Sequence, residues 1–138
     1  MIDDQLWGRL VGRIVKDEKL DAALAERIVD QALAFLKLVS TSEGKSYAPS
    51  SMVDIGWHTF ILYTREYAGF CEKVAGRFIH HAPSDVEGVD YGSSTVAETV
   101  SAMKVRGIAV DEELWINPSA KYCSGDSCAG DCSGSGDA

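Results

Sequence analysis

Basic side chains are scarce in this sequence. Its 138 residues include 13 lysines and arginines against 21 aspartates and glutamates, which gives a formal net charge of -8. Such a surface repels phosphate backbones, because broad electrostatic binding of nucleic acid requires clustered lysine and arginine side chains. We therefore predict a protein that does not bind nucleic acid.

Long apolar runs are also absent. No stretch approaches the roughly 20 apolar residues that span a bilayer, and the longest candidate is interrupted by Lys37. Asp3 and Asp4 stand where a signal peptide would be basic. These features predict a cytoplasmic protein without a membrane segment. Because cytoplasmic thiols stay mostly reduced, we expect the four cysteines to be ligands, redox groups or packed side chains before disulfides.

Helical periodicity dominates the N-terminal third. Apolar residues recur at spacings of three and four, the pattern that lines one face of a helix. Asp3 or Asp4 can cap the first helix and Asp21 the second. The apolar stripes include Leu6, Leu10, Ile14, Ile28, Phe35 and Leu36. The chain is accordingly predicted to be all-α, a compact bundle of about four helices over residues 1–118.

Two helices are predicted after Pro49, which keeps the preceding chain out of helix. Ser51 is a suitable N-cap residue, and a carboxylate three residues later, at Asp54, favours this helix start. The following helix begins at Thr64 and ends at Gly76, a typical C-cap residue. The aromatic residues expected in the core are Trp57 and Phe70.

The region after residue 83 is polar before it turns helical again. Thr95 and Glu98 form a capping box, and the helix that they open ends at Gly107. The stretch that follows predicts a short strand or a packed turn, which returns Leu114 and Trp115 to the core.

All three histidines and one cysteine fall between Asp54 and Pro83. His58 follows Asp54 by one helical turn, so the carboxylate could orient the imidazole. His80 and His81 are adjacent, and on an extended segment their rings point to opposite sides. This clustering indicates a zinc or copper site. The candidate ligands are His58, Cys71, His80 and His81, with Asp54 as a supporting carboxylate outside the ligand set.

This metal hypothesis has one geometric requirement and one alternative. On one straight helix, His58 and Cys71 would face different sides, so the site requires a break near Tyr63 and Thr64. The alternative is structural, because Asp54 can serve the helix start, Cys71 can be a small buried residue, and histidines are often hydrogen-bonded polar groups.

One block of the sequence is similar to a known family. The block has the pattern Asp54-x-x-Trp57-His58, then Ile61-Leu62-x-Thr64-x-x-Tyr67-x-x-x-Cys71, then Ile79-His80-His81-x-Pro83. It resembles the glycine-rich-domain-protein-like family. That family includes larger plant proteins and small bacterial ones, and the resemblance implies more about fold than about biochemistry. Family members commonly have a second histidine where this chain has Phe60, which leaves His58 as the only histidine of its helix.

The last segment, residues 119–138, is rich in glycine, serine, aspartate and cysteine and lacks apolar periodicity. It is therefore predicted to be a flexible tail. Cys123, Cys128 and Cys132 lack the Cys-x-x-Cys spacing of structural zinc sites. They are candidate soft-metal ligands or sites of modification by a partner enzyme.

Enzyme motifs are lacking. The sequence has no glycine-rich phosphate-binding loop before a helix and no nucleophile elbow with a catalytic serine. Catalysis is therefore less expected than binding. A nucleophilic pair of Cys71 and His80 with Asp54 is conceivable from residue types alone. The leading hypothesis is a small protein that binds a soft transition metal. The alternative is a recognition or precursor module whose cysteine-rich tail a partner protein binds or modifies.

Overall fold

A computed structural model describes residues 2–42, 47–81 and 96–115. These residues form five α-helices and one short 3-10 helix, and the described part contains no strand. The prediction of an all-α bundle is confirmed, with one helix more than expected. The helices are α1 (Asp4–Glu18), α2 (Ala22–Ser40), α3 (Ser51–Leu62), α4 (Thr64–Ala75) and α5 (Val96–Val105), followed by the 3-10 helix Glu112–Trp115.

The first two helices begin at the predicted aspartate caps. Asp3 accepts a hydrogen bond from the N–H of Leu6 at 2.7 Å, and Asp21 accepts one from the N–H of Leu24 at 2.8 Å. These bonds satisfy N–H groups that have no partner within the helix. Local sequence therefore determines where both helices start.

The start of α3 differs from the prediction by one residue. Ser50, not Ser51, is the N-cap residue, and its hydroxyl accepts from the N–H of Val53 at 3.1 Å. The same hydroxyl donates to the carbonyl of Leu114 at 2.5 Å. This second bond reaches a distant part of the chain, so tertiary packing selects between two neighbouring serines of equal capping ability.

Helix α2 lies at the centre of the bundle and contacts α1, α3, α4 and α5. Ile28, Phe35 and Leu36 on α2 are fully buried. Gly56 of α3 allows the close approach of the two helices, because a Cβ atom there would lie 2.8 Å from the Cβ of Ala32. Helix α3 is thereby held firmly against α2.

The C-terminal described segment is attached to α2 by polar contacts. The Gln31 side chain accepts from the Trp115 indole at 2.7 Å and from the N–H of Asp111 at 3.0 Å. Arg27 binds the Asp111 carboxylate through two hydrogen bonds of 2.6 and 2.7 Å and also pairs with Glu113. The expectation that this stretch returns Leu114 and Trp115 to the core is confirmed, since both are buried and belong to the 3-10 helix.

The predicted break between α3 and α4 is confirmed. Tyr63 lies between the two helices with φ -93° and ψ 68°, outside helical geometry. Gly76 ends α4 with φ 69°, a conformation that glycine adopts without strain. Trp57 and Phe70, one from each helix, are buried as expected.

Some predictions fall on parts of the chain that the structure does not describe. These are the capping residue Thr95, the boundary of the helical domain at 118 and the tail 119–138. Among the described helices, none combines the length and apolar character needed to cross a membrane.

Candidate metal centre

Three of the candidate site residues meet on the outer face of α3. Asp54 and His58 lie one turn apart on this helix, and His81 approaches from the segment after α4. One ligand atom of each residue lies within 4.8 Å of those of the other two. Asp54 and His81 are partly buried, whereas His58 is exposed to solvent. We call this group the Asp-His-His cluster.

The contacts of His81 define the geometry of the cluster. Its Nε2 lies 2.6 Å from Oδ1 of Asp54, which is hydrogen-bond distance for an imidazole N–H that donates to a carboxylate. Its ring packs against Trp57 with the ring centroids 4.3 Å apart. The ring centroids of His58 and His81 are 5.4 Å apart. His81 therefore contacts both cluster residues of α3, Asp54 and His58, and also their neighbour Trp57.

The backbone next to His81 is held by a buried hydroxyl. The Tyr67 hydroxyl donates to the carbonyl of Ile79 at 2.5 Å and accepts from the Trp57 indole N–H at 2.8 Å. Burial raises the pKa of Tyr67, although its bond from Trp57 acts in the opposite direction. The hydroxyl thus keeps its proton and remains a hydrogen-bond donor. Ile79 is itself buried, which adds an apolar anchor to this polar one.

His80 lies outside the cluster. Its side chain is exposed and packs edge-on against Phe78, with the ring centroids 4.7 Å apart. His81, its neighbour in the chain, belongs to the cluster, so the two adjacent side chains have different surroundings. That only one of the two histidines enters a common metal site stays a prediction.

Cys71 is also separate from the cluster. Its side chain is fully buried, and it belongs to the face of α4 that carries Tyr67, one turn earlier. The break at Tyr63 does turn α4, but it turns Cys71 into the apolar core and not towards His58. The structure therefore corrects the proposed ligand set, and Cys71 occupies the place of a small buried residue.

Asp54 has a different place from the predicted one. The sequence suggested that it would orient His58 from outside the ligand set, whereas its carboxylate bonds to His81 and its oxygen belongs to the cluster. The groups that contact or support His81 are Trp57, which was expected only as a core residue, and Tyr67, which was named only within the family pattern. Both have a polar atom that needs a partner when buried, and that was the available signal.

The helices and the cluster define the class of protein, a small all-α protein with a candidate Asp-His-His metal centre. A family model described as UCP032817-like matches residues 4–96, and the chain therefore belongs to the UCP032817-like family. That match carries no glycine-rich-domain designation, so the finer resemblance remains a prediction. Comparison with curated proteins gave no match, and comparison with solved structures gave none either.

The three tail cysteines, Cys123, Cys128 and Cys132, lie outside the described residues. Their assignment as soft-metal ligands or as sites bound or modified by a partner stays a prediction.

Proposed function

We propose that this protein binds a divalent transition metal ion, with zinc as the leading candidate, through Asp54, His58 and His81. The observation that carries the proposal is the convergence of one carboxylate oxygen and two imidazole nitrogens within 4.8 Å. Zinc sites with an exchangeable position use three protein ligands, and two histidines with one carboxylate are a known set. The exposure of His58 leaves a path for the ion from solvent.

A proton and the metal ion would compete for Nε2 of His81 and Oδ1 of Asp54. Zinc binds histidine nitrogen at ~2.0 to 2.1 Å and carboxylate oxygen at ~2.0 to 2.2 Å, so two such ligands on a tetrahedral ion stand about 3.3 Å apart. The observed separation of 2.6 Å between Asp54 and His81 is that of a hydrogen bond. Metal binding would replace the shared proton and widen the pair by less than about 1 Å. Affinity for zinc is therefore expected to fall as the pH is lowered.

The donor atoms favour zinc over Cu(I). Cu(I) prefers thiolate and thioether sulfur, whereas imidazole and carboxylate suit harder divalent ions. With Cys71 in the core, the described cluster offers no sulfur ligand. Binding of copper as Cu(I), the other metal expected from the sequence, would belong to the tail thiols.

Zinc titration of the full chain tests the proposal. Serine replacements of the tail residues Cys123, Cys128 and Cys132 remove competing thiols while keeping the chain length. In this background we expect one zinc ion per chain by isothermal titration calorimetry. His58→Ala and His81→Ala should abolish binding, because each removes one of three ligands.

A matched control is provided by His80→Ala, since this residue is the immediate neighbour of His81 but lies outside the cluster. It should leave the affinity for zinc unchanged. Failure of the serine background to bind zinc would contradict the proposal, as would an equal loss of affinity in His80→Ala and His81→Ala. Zinc that binds only when the tail cysteines are present would favour the tail as the metal-binding element.

A further inference from the structure

The two histidines of the Asp-His-His cluster differ in how the fold supports them. His58 is held by its own helix, whereas His81 lies after the end of α4 on a segment without regular secondary structure. Such a segment has no internal hydrogen-bond ladder to position it, so its position depends on contacts with the rest of the fold. One such contact is the hydrogen bond from the Tyr67 hydroxyl to the backbone carbonyl of Ile79, two residues before His81.

We propose that the Tyr67 hydroxyl is a positioning group for His81 and thereby sets the metal affinity of the Asp-His-His cluster. The hydroxyl bonds to two of the groups that hold His81 in place, in addition to the bond of His81 to Asp54. It fixes the backbone two residues before His81, and it orients the Trp57 indole, against which the His81 ring packs at 4.3 Å. This role rests on the proposed function for its consequence, although the positioning itself does not require a metal.

The burial of Tyr67 makes this arrangement specific. The side chain is fully buried, and its hydroxyl uses one donor and one acceptor interaction, both with groups that adjoin the cluster. Without the hydroxyl, the Ile79 carbonyl and the Trp57 N–H both lose their partner in a place that water reaches poorly. Each would tend to move towards solvent or another partner, because buried polar groups are rarely left without a hydrogen bond. Both movements displace the two surfaces that hold His81.

Tyr67→Phe tests the inference, because phenylalanine keeps the ring and removes only the hydroxyl. In the metal-free chain with tail serines, NMR should show nuclear Overhauser contacts between the rings of His81 and Trp57. We expect these contacts to weaken in Tyr67→Phe. The contact between Phe60 and Phe70, whose ring centroids are 5.2 Å apart in the core, should persist and show that the bundle is intact.

Zinc affinity supplies the second measurement. We expect Tyr67→Phe to bind zinc ~10- to 100-fold more weakly, the usual effect of removing a group that orients a ligand. The matched control is Tyr63→Phe, which removes a hydroxyl at the junction of α3 and α4 where the ring lies under Arg9. It should bind zinc as the parent chain does.

The outcomes separate this inference from the proposed function. Unchanged contacts of His81 with Trp57 in Tyr67→Phe would overturn the positioning role, whether or not zinc binds. Weakened contacts with unchanged zinc affinity would overturn the claim that the position of His81 sets affinity. If the parent chain binds no zinc, the proposed function and the metal consequence both fail, while the ring contacts still decide whether Tyr67 positions His81.

Discussion

Gly56 sits where α3 approaches α2 most closely, and replacing it with alanine adds a single methyl group to that interface. The new Cβ would lie 2.8 Å from the Cβ of Ala32, 3.0 Å from the carbonyl oxygen of Ile28 and 3.1 Å from its Cγ2. Two of these atoms belong to the backbone or are directly attached to it, so rotation of a side chain cannot relieve the overlap. The helices themselves must separate.

The magnitude follows from two opposing terms. Alanine is favoured over glycine in a helix interior by about 0.8 to 1.0 kcal/mol. Extra volume in a well-packed core costs about 1 to 3 kcal/mol. Gly69 on α4 is the matched control, because it is exposed and a Cβ there would meet nothing within 4 Å. Gly69→Ala should therefore be stabilising, and Gly56→Ala should be less stable than Gly69→Ala by about 1 to 3 kcal/mol.

Urea unfolding, followed by circular dichroism at the helical band, measures both variants under the same conditions. The comparison between them removes the helix-propensity term and leaves the cost of the close approach. If Gly56→Ala proved as stable as Gly69→Ala, the helices would not be packed at the separation described. The α2–α3 interface could then not be what holds Asp54 and His58 in place.

Two further predictions concern the C-terminal segment and the thiols. The Arg27 guanidinium bonds to Asp111 and lowers the pKa of that carboxyl. The pair therefore stabilises the fold fully above the ordinary aspartate pKa of about 4. This contribution is lost as the pH falls through the lowered pKa. Asp111→Asn should therefore flatten the acid side of the stability profile in urea unfolding, and an unchanged acid limb would contradict the pairing. For the thiols, mass spectrometry after brief alkylation of the native chain should show Cys71 unmodified because it is fully buried, with the tail cysteines modified rapidly if the predicted flexibility is correct. Equal labelling of Cys71 and the tail would contradict its burial.

The sequence was sufficient for the local features of the fold. The apolar stripes of α1 and α2, the aspartate caps at Asp3 and Asp21 and the glycine end of α4 all depend on interactions within a few residues. Such interactions are encoded by spacing, because the helical repeat places residues three and four apart on one face. A separate helix that begins at Thr64 was also predicted, and the metal hypothesis required the same break near Tyr63.

The membership of the site was decided by tertiary structure. The sequence placed His58, His80, His81, Cys71 and Asp54 within one block, but their spacing did not determine the direction in which α4 would turn after Tyr63. That direction is set by which apolar face α4 buries, and the buried face includes Tyr67, Phe70 and Cys71. The cysteine is thereby removed from the candidate ligands by the same packing that forms the core.

The partner of Asp54 was likewise a tertiary outcome. Helical geometry alone places its carboxylate near His58, one turn away. The returning segment brings Nε2 of His81 to 2.6 Å from Oδ1 of Asp54, and the hydrogen bond forms there. That segment is held against the bundle by the bond from the Tyr67 hydroxyl to the Ile79 carbonyl, between residues 12 positions apart, and by the buried Ile79 side chain. Residue order alone specified the helices and the types of atom available for a site. The contacts between separated segments determined which of those atoms meet, because a side chain's neighbours in space depend on how the helices pack.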